Sequence, residues 1–211
     1  LLEQNFTNGS GSSVFGLLPA SYQQTLVDGV AAQNVLGNAV IEEAQTDDGL
    51  RKLYEDKGWI PGATLASRDD PEHREMRGLF NHAFRPAKIK ELDPFIERLA
   101  HRLIDGFIDR DTCDWVREFA IPLPLIVIGR QMGAPEEDIW QIKAWTDAWV
   151  QRLGMMQSEE EAVWSTEQEI AAQHYFQPIF ERLRRQPDDT LLSDLVNTVI
   201  PEWGRPLTDN E

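Results

Sequence analysis

The segment Asp69 to Phe84, D-D-P-E-H-R-E-M-R-G-L-F-N-H-A-F, contains two cationic side chains spaced to act together, His73 and Arg77. At about 100° per residue along a helix, Met76, Leu79, Phe80, Ala83 and Phe84 form one apolar stripe. Arg74, Glu75, Gly78, Asn81, His82 and Arg85 form the opposite face. His73 and Arg77 fall on the stripe, in line with Phe80 and Phe84. An arginine set against a core without a partner costs several kcal/mol, so this position implies a carboxylate or phosphate held at the same level. The alternative is that both side chains sit in the first two turns and snorkel out to solvent. Periodicity alone leaves both open.

The elements around this segment read as helices. Asp70 is expected to cap the first turn, Pro71 to take the first helical position where no N–H is needed, and Glu72 to face the positive end of the dipole. Apolar residues recur at helical spacing from Ser21 to Ala44, and Lys57 to Leu65 breaks the pattern as a loop. Asp93 to Asp109 is amphipathic, with Phe95, Ile96, Leu99, Leu103, Ile104 and Phe107 on one side. A helix follows Phe119, carries Pro122 and Pro124 near its start, and stops at Gly133. Ala134 to Leu153 repeats the start code, with Ile142, Trp145, Trp149 and Leu153 on one face. Ser158 to Arg185 opens on three glutamates and closes on arginines, as the helix dipole prefers. Strand patterns are scarce, so the fold class is mainly α.

Asp69 to Pro86 resembles the helix C signature of the soluble bacterial cytochromes P-450, D-P-P-E-H-x-x-x-R followed by A-F-x-P. Asp70 stands where that family commonly has its first proline. Cys113 to Asp138 is similar to the family's stretch across helix E, Gln186 to Leu195 to the start of helix H, and Arg205 to Glu211 to the lead-in of helix I. The resemblance implies a single partial domain over 1–211, the helix B to H region of the P-450 fold. The half with the haem-thiolate loop F-x-x-G-x-x-x-C-x-G, helix I and helix K has no counterpart in this sequence. It further implies that the missing anion is a haem propionate, with His73 and Arg77 as its donors, one turn apart. Heme b would be the cofactor of the intact parent, a monooxygenase inserting one atom of O2 into a small apolar organic substrate. Trp59, Ile60 and Leu65 before helix C, and Trp149, Leu153, Met155 and Met156 at the lid over the substrate channel, are the implied substrate-contacting residues. Arg74, Arg85 and Lys88 are the implied docking residues for a ferredoxin or similar redox partner. No metal ligand is expected in the chain. Its one cysteine, Cys113, has no haem-ligand context and is read as a partly buried small apolar residue.

Composition limits the alternatives. A net charge of −16 argues against nucleic acid, which needs a dense basic surface. The densest apolar run, Ala120 to Gly129, is too short and proline-rich to span a membrane. A single cysteine forms no disulfide framework and suits a reducing cytoplasm. The four histidines lack metal-site spacing, and no G-x-S-x-G, Walker A or G-x-G-x-x-G occurs. Leu1 at the start and a helix-start signal at Glu211 both read as cuts, so the fragment alone is expected to be inactive. Two other readings remain: a cofactor-free acidic helical interaction module, in which His73 and Arg77 pair with acidic side chains, and a haem peroxygenase.

Overall fold

A computed structural model of the chain describes residues 47–153 and 157–211. Its helices are α1 (Asp48–Lys57), α2 (Glu72–Ala83), α3 (Pro86–Lys90), α4 (Asp93–Asp105), α5 (Pro122–Gln131), α6 (Ile139–Leu153), α7 (Glu159–Arg185) and α8 (Leu191–Asn197). Short turns at Leu65–Ser67, Val116–Ala120 and Glu136–Asp138 join them. Among the described residues the only β pairing is an isolated bridge between Ile200 and Arg205. The helices expected within 21–44 lie outside the described residues.

Capping chemistry explains the boundaries. The Ser158 hydroxyl accepts from the Glu161 N–H while the Glu161 carboxylate accepts from the Ser158 N–H, a reciprocal box that starts the 27-residue α7. Thr190 caps α8 through the Ser193 N–H, and Asp47 caps α1 through the Leu50 N–H. After α5, Gly133 adopts φ 72°, the left-handed turn that ends the helix as expected. The expected cap of α2 is corrected. Asp70 does not cap it; Pro71 occupies the cap position with no side-chain bond, and backbone carbonyls take the first N–H groups instead. Asp69 accepts from His73 at 2.9 Å and Pro71 from Glu75 at 3.1 Å. The Asp70 carboxylate thereby remains turned to its basic neighbours, 4.0 Å from His73 Nδ1 and 3.9 Å from Arg74. The helix expected from Asp93 stops at Asp105 rather than Asp109, and the one expected from Ala134 begins at Ile139 after a short turn.

Long α7 is the spine. Leu183 packs with Leu192 and Val196 of α8, Ile170 packs with Tyr54 of α1, and α6 runs against α7. A second core joins Leu99 of α4, Ile126 of α5 and Ile139 of α6. The third core sets the site. Met76, Leu79 and Ala83 of α2 are buried against Leu191, Leu195, Ile200 and Leu207. Each such large side chain contributes about 1.5–3 kcal/mol on burial, enough to fix the rotation of α2 about its axis.

Candidate functional site

The rotation of α2 decides where its cations go. With Met76, Leu79 and Ala83 fully inside, His73, Arg77, Phe80 and Phe84 line the edge of the buried face. Phe80 is half-buried, and Phe84 remains 46% exposed. His73 keeps 24% of its side-chain surface, and Arg77 is exposed. Arg77 Nε donates to Asn81 Oδ1 at 3.2 Å, and among the described residues no carboxylate lies within ion-pair distance of its guanidinium. Nearby, Arg68 is neutralised by Glu72 and Glu211, whereas Arg85 lies 3.4 Å from Asp194, a carboxylate already engaged by Lys88. The result is a line of imidazole, guanidinium and two phenyl rings, presenting two donors for anions beside exposed aromatic surface. Beyond Phe84 the surface sinks into an apolar groove of about 390 Å³ between Ile89, Leu92 and Ile96 on one side and Leu123, Val127 and Ile128 on the other. Monomeric proteins rarely leave apolar surface of this kind bare.

The other candidate residues fall in different places. Trp59, Ile60 and Leu65 are half-buried on the segment joining α1 to α2. Ile60 packs on Tyr54 and Ile170, while Leu65 packs on the core under α2. Trp149 is 44% exposed on α6, whose buried residues are Ile139, Ile142, Ala148 and Arg152. Leu153 ends α6, and Met155 and Met156 lie outside the described residues. Of the expected docking cations, Arg74 and Arg85 are exposed. Lys88 is not. It is 8% exposed, its Nζ lies 2.5 Å from Asp194 Oδ2 and donates to the Thr190 carbonyl at 3.3 Å. A cation withdrawn from solvent and already neutralised has nothing to offer a partner, so Lys88 leaves the docking set. Cys113, expected partly buried, is exposed, because the 111–115 connection runs over the surface before the turn at Val116.

Sequence reading missed two polar clusters. The first joins three helices: Arg152 Nη1 of α6 donates to the Tyr54 hydroxyl of α1 at 2.5 Å and to Glu169 of α7 at 3.0 Å, and the Tyr54 hydroxyl donates to Glu169 at 2.7 Å. Burial, and then the Glu169 charge, push the Tyr54 phenol above its ordinary range, so it stays a donor. The second ties the segment before α2 to residues 203–211. Trp203 lies between Arg68 and Arg205, 5.0 and 5.2 Å from their guanidinium carbons, and its Nε1 donates to Glu75 at 2.7 Å. Glu211 accepts from Arg68 and Arg205, and chiefly the Arg205 hydrogen bond holds its carboxyl down at about 2. A carboxyl depressed in the folded state stabilises fully above its unfolded value, 4.5 here, and the contribution fades as pH falls from there toward 2. The urea midpoint is therefore expected to drop across that window, and Glu211→Gln to flatten the drop; an equal drop in both proteins would show that the acid sensitivity originates elsewhere.

This arrangement defines a class before it defines a family: a mostly helical scaffold that presents two cationic side chains one turn apart beside partly exposed aromatic surface. No family model matches the chain. It is 33% identical over 163 residues to the polyketide biosynthesis cytochrome P-450 PksS of Bacillus subtilis, covering 77% of this chain and 38% of that protein. To the steroid C26-monooxygenase of Mycobacterium tuberculosis it is 30% identical over 196 residues, 93% of this chain and 49% of the relative. The crystal structure of CYP109E1 from Bacillus megaterium in complex with corticosterone superposes with a TM-score of 0.58 at 31% identity, over 70% of this chain and 39% of that one. The chain belongs to the cytochrome P-450 superfamily, and its mostly helical architecture is part of the P-450 fold. It spans less than half the length of either curated relative.

A haem-thiolate cofactor is the family's, and the residues present fit one part of it. His73 and Arg77 offer N–H donors one turn apart beside the half-buried Phe80 and the exposed Phe84, the chemistry that two propionates on an apolar macrocycle would require. The thiolate is another matter: Cys113 sits in none of the family's ligand context.

Proposed function

We propose that the protein containing this chain is a cytoplasmic haem-thiolate monooxygenase, and that 1–211 is a single partial domain of it. It inserts one oxygen atom from O2 into a small apolar organic substrate, using electrons from a ferredoxin or similar redox partner. The observation that carries the proposal is the His73–Arg77 pair, held at the rim of the α2 core with no carboxylate of the described chain paired to Arg77. The same observation disfavours only the form of the acidic interaction module in which the chain's own carboxylates pair with Arg77; pairing with a partner's acidic side chains is separated from it by haem retention in Arg77→Ala. Heme b, when bound, supplies oxygen activation, with thiolate donation favouring O–O cleavage. This chain's residues orient and shield it. Arg77 and His73 hold the propionates, Phe80 and Phe84 exclude water beside them, and the Trp59 to Leu65 segment faces the substrate. Trp149, Leu153, Met155 and Met156 contribute the apolar lid. Arg74 and Arg85, exposed at the two ends of α2, attract an acidic partner. Among the described residues no helix is long and apolar enough to cross a membrane.

The complete protein, supplied with ferredoxin, its reductase and a panel of steroids and fatty acids under labelled O2, is expected to place one labelled oxygen atom in a product. Product formed with peroxide but never with the electron-transfer partners would assign the peroxygenase activity instead.

A further inference from the structure

The Trp59 to Leu65 segment is held by an unusual grip at its start. Gln173, in the middle of α7, meets the backbone of Trp59 with both ends of its amide: Oε1 accepts from the Trp59 N–H at 3.1 Å, and Nε2 donates to the Trp59 carbonyl at 2.7 Å. The backbone fixes the orientation of that amide, because an N–H can meet only the oxygen and a carbonyl only the nitrogen. Gly58 makes the approach possible. A Cβ there would stand 2.5 Å from Gln173 Oε1 and 3.0 Å from Ile170, so no side chain fits between loop and helix. The adjacent His174 Nε2 lies 2.5 Å from the Lys57 carbonyl, and its ring meets the Trp59 ring edge-on at 5.8 Å. Downstream, Gly62 N–H donates to the Asn210 carbonyl at 3.2 Å and Arg68 Nε to the Ala63 carbonyl at 3.0 Å.

We infer that Gln173 is a positioning residue: its amide clamps Trp59 to α7 and so sets where the Trp59 to Leu65 segment faces the substrate. The inference rests on the reading of that segment as substrate-facing. The apolar contacts of the segment begin at Ile60 and Leu65, so Trp59 ahead of them is held to α7 by the Gln173 amide and the His174 ring. With the clamp, the indole and the backbone after it share the rigidity of a 27-residue helix. Specificity then depends on a residue that touches no substrate.

The test uses the complete, haem-loaded protein with Gln173→Ala and, separately, Gly58→Ala, which leaves the glutamine in place but crowds its amide. Two measurements are read: hydrogen exchange of the Trp59 amide, and the dissociation constants of phenylimidazole and of imidazole at the haem iron. Losing two hydrogen bonds is expected to speed Trp59 exchange by about tenfold or more. Both variants are expected to weaken phenylimidazole, which needs the apolar wall, by roughly three- to tenfold while imidazole changes less than about twofold, as a lost set of packing contacts requires. Unchanged Trp59 exchange in Gln173→Ala, or equal weakening of the two azoles, would overturn the clamp. If the unsubstituted complete protein binds no haem, the monooxygenase reading falls instead, and the exchange measurement still judges the clamp by itself.

Discussion

Arg77→Ala in the complete protein is expected to leave a folded polypeptide that retains haem poorly. Arg77 is exposed, and its one hydrogen bond, to Asn81 in the next turn, contributes little to stability. Against a propionate the same guanidinium would make a charge-assisted, two-pronged contact, whose loss costs about 1.5–3 kcal/mol. At about 1.4 kcal/mol per tenfold, haem affinity should fall by roughly 10- to 100-fold, with little change in the urea midpoint. Arg77→Lys keeps the charge and loses the fork, so it should fall between the two. His73→Ala, which removes a partly shielded ring beside Asp70, should cost less. Competition for haem with apomyoglobin measures the series. Haem retention unaltered in Arg77→Ala would show that this residue does not anchor the cofactor.

The second large effect is on stability. Arg152 is 2% exposed and bridges Tyr54 and Glu169 across α1, α6 and α7. Arg152→Met fills similar volume but leaves the Glu169 carboxylate, which keeps 21% of its side-chain surface, with the Tyr54 hydroxyl as its remaining partner in the cluster, a loss of about 3 kcal/mol, the low end for one partner removed from a buried pair. Tyr54→Phe removes only the hydroxyl and is expected to cost about 1–2 kcal/mol. The Tyr54 phenol is raised above its ordinary 10.0, so this contribution is complete below that pH and weakens as pH climbs beyond it. Urea unfolding followed by circular dichroism reads all three. An Arg152→Met midpoint matching the parent's would show that the cluster is not structural.

What sequence revealed and what it hid divides along sequence distance. α7 was legible because Ser158, Glu161 and the terminal arginines are local signals, and local signals decide helix ends. The cationic line on α2 was legible because its stripe has helical period; the Asp70 cap was not, because backbone carbonyls at Asp69 and Pro71 had already taken the N–H groups a side chain would serve. Helix α1 went unread although Asp47 and Gly58 bracket it, since Leu50 and Tyr54 alone make a weak apolar pattern. Lys88 looked like a surface charge because its partner, Asp194, lies 106 residues on. Likewise Arg152 meets Tyr54 across 98 residues and Gln173 meets Trp59 across 114, separations at which a single sequence carries no pairing signal. The family resemblance recovered the fold because two ordered motifs, around α2 and α5, are longer than chance allows. The lid candidates Met155 and Met156 lie outside the described residues.

The most direct test of the account is the carbon monoxide difference spectrum of the reduced complete protein. The account predicts the long-wavelength Soret band of a thiolate-ligated haem, at one haem per chain in the parent and at reduced occupancy in Arg77→Ala. A folded complete protein that takes up no haem, and shows no such band after reconstitution, would contradict it and leave an acidic helical interaction module in its place.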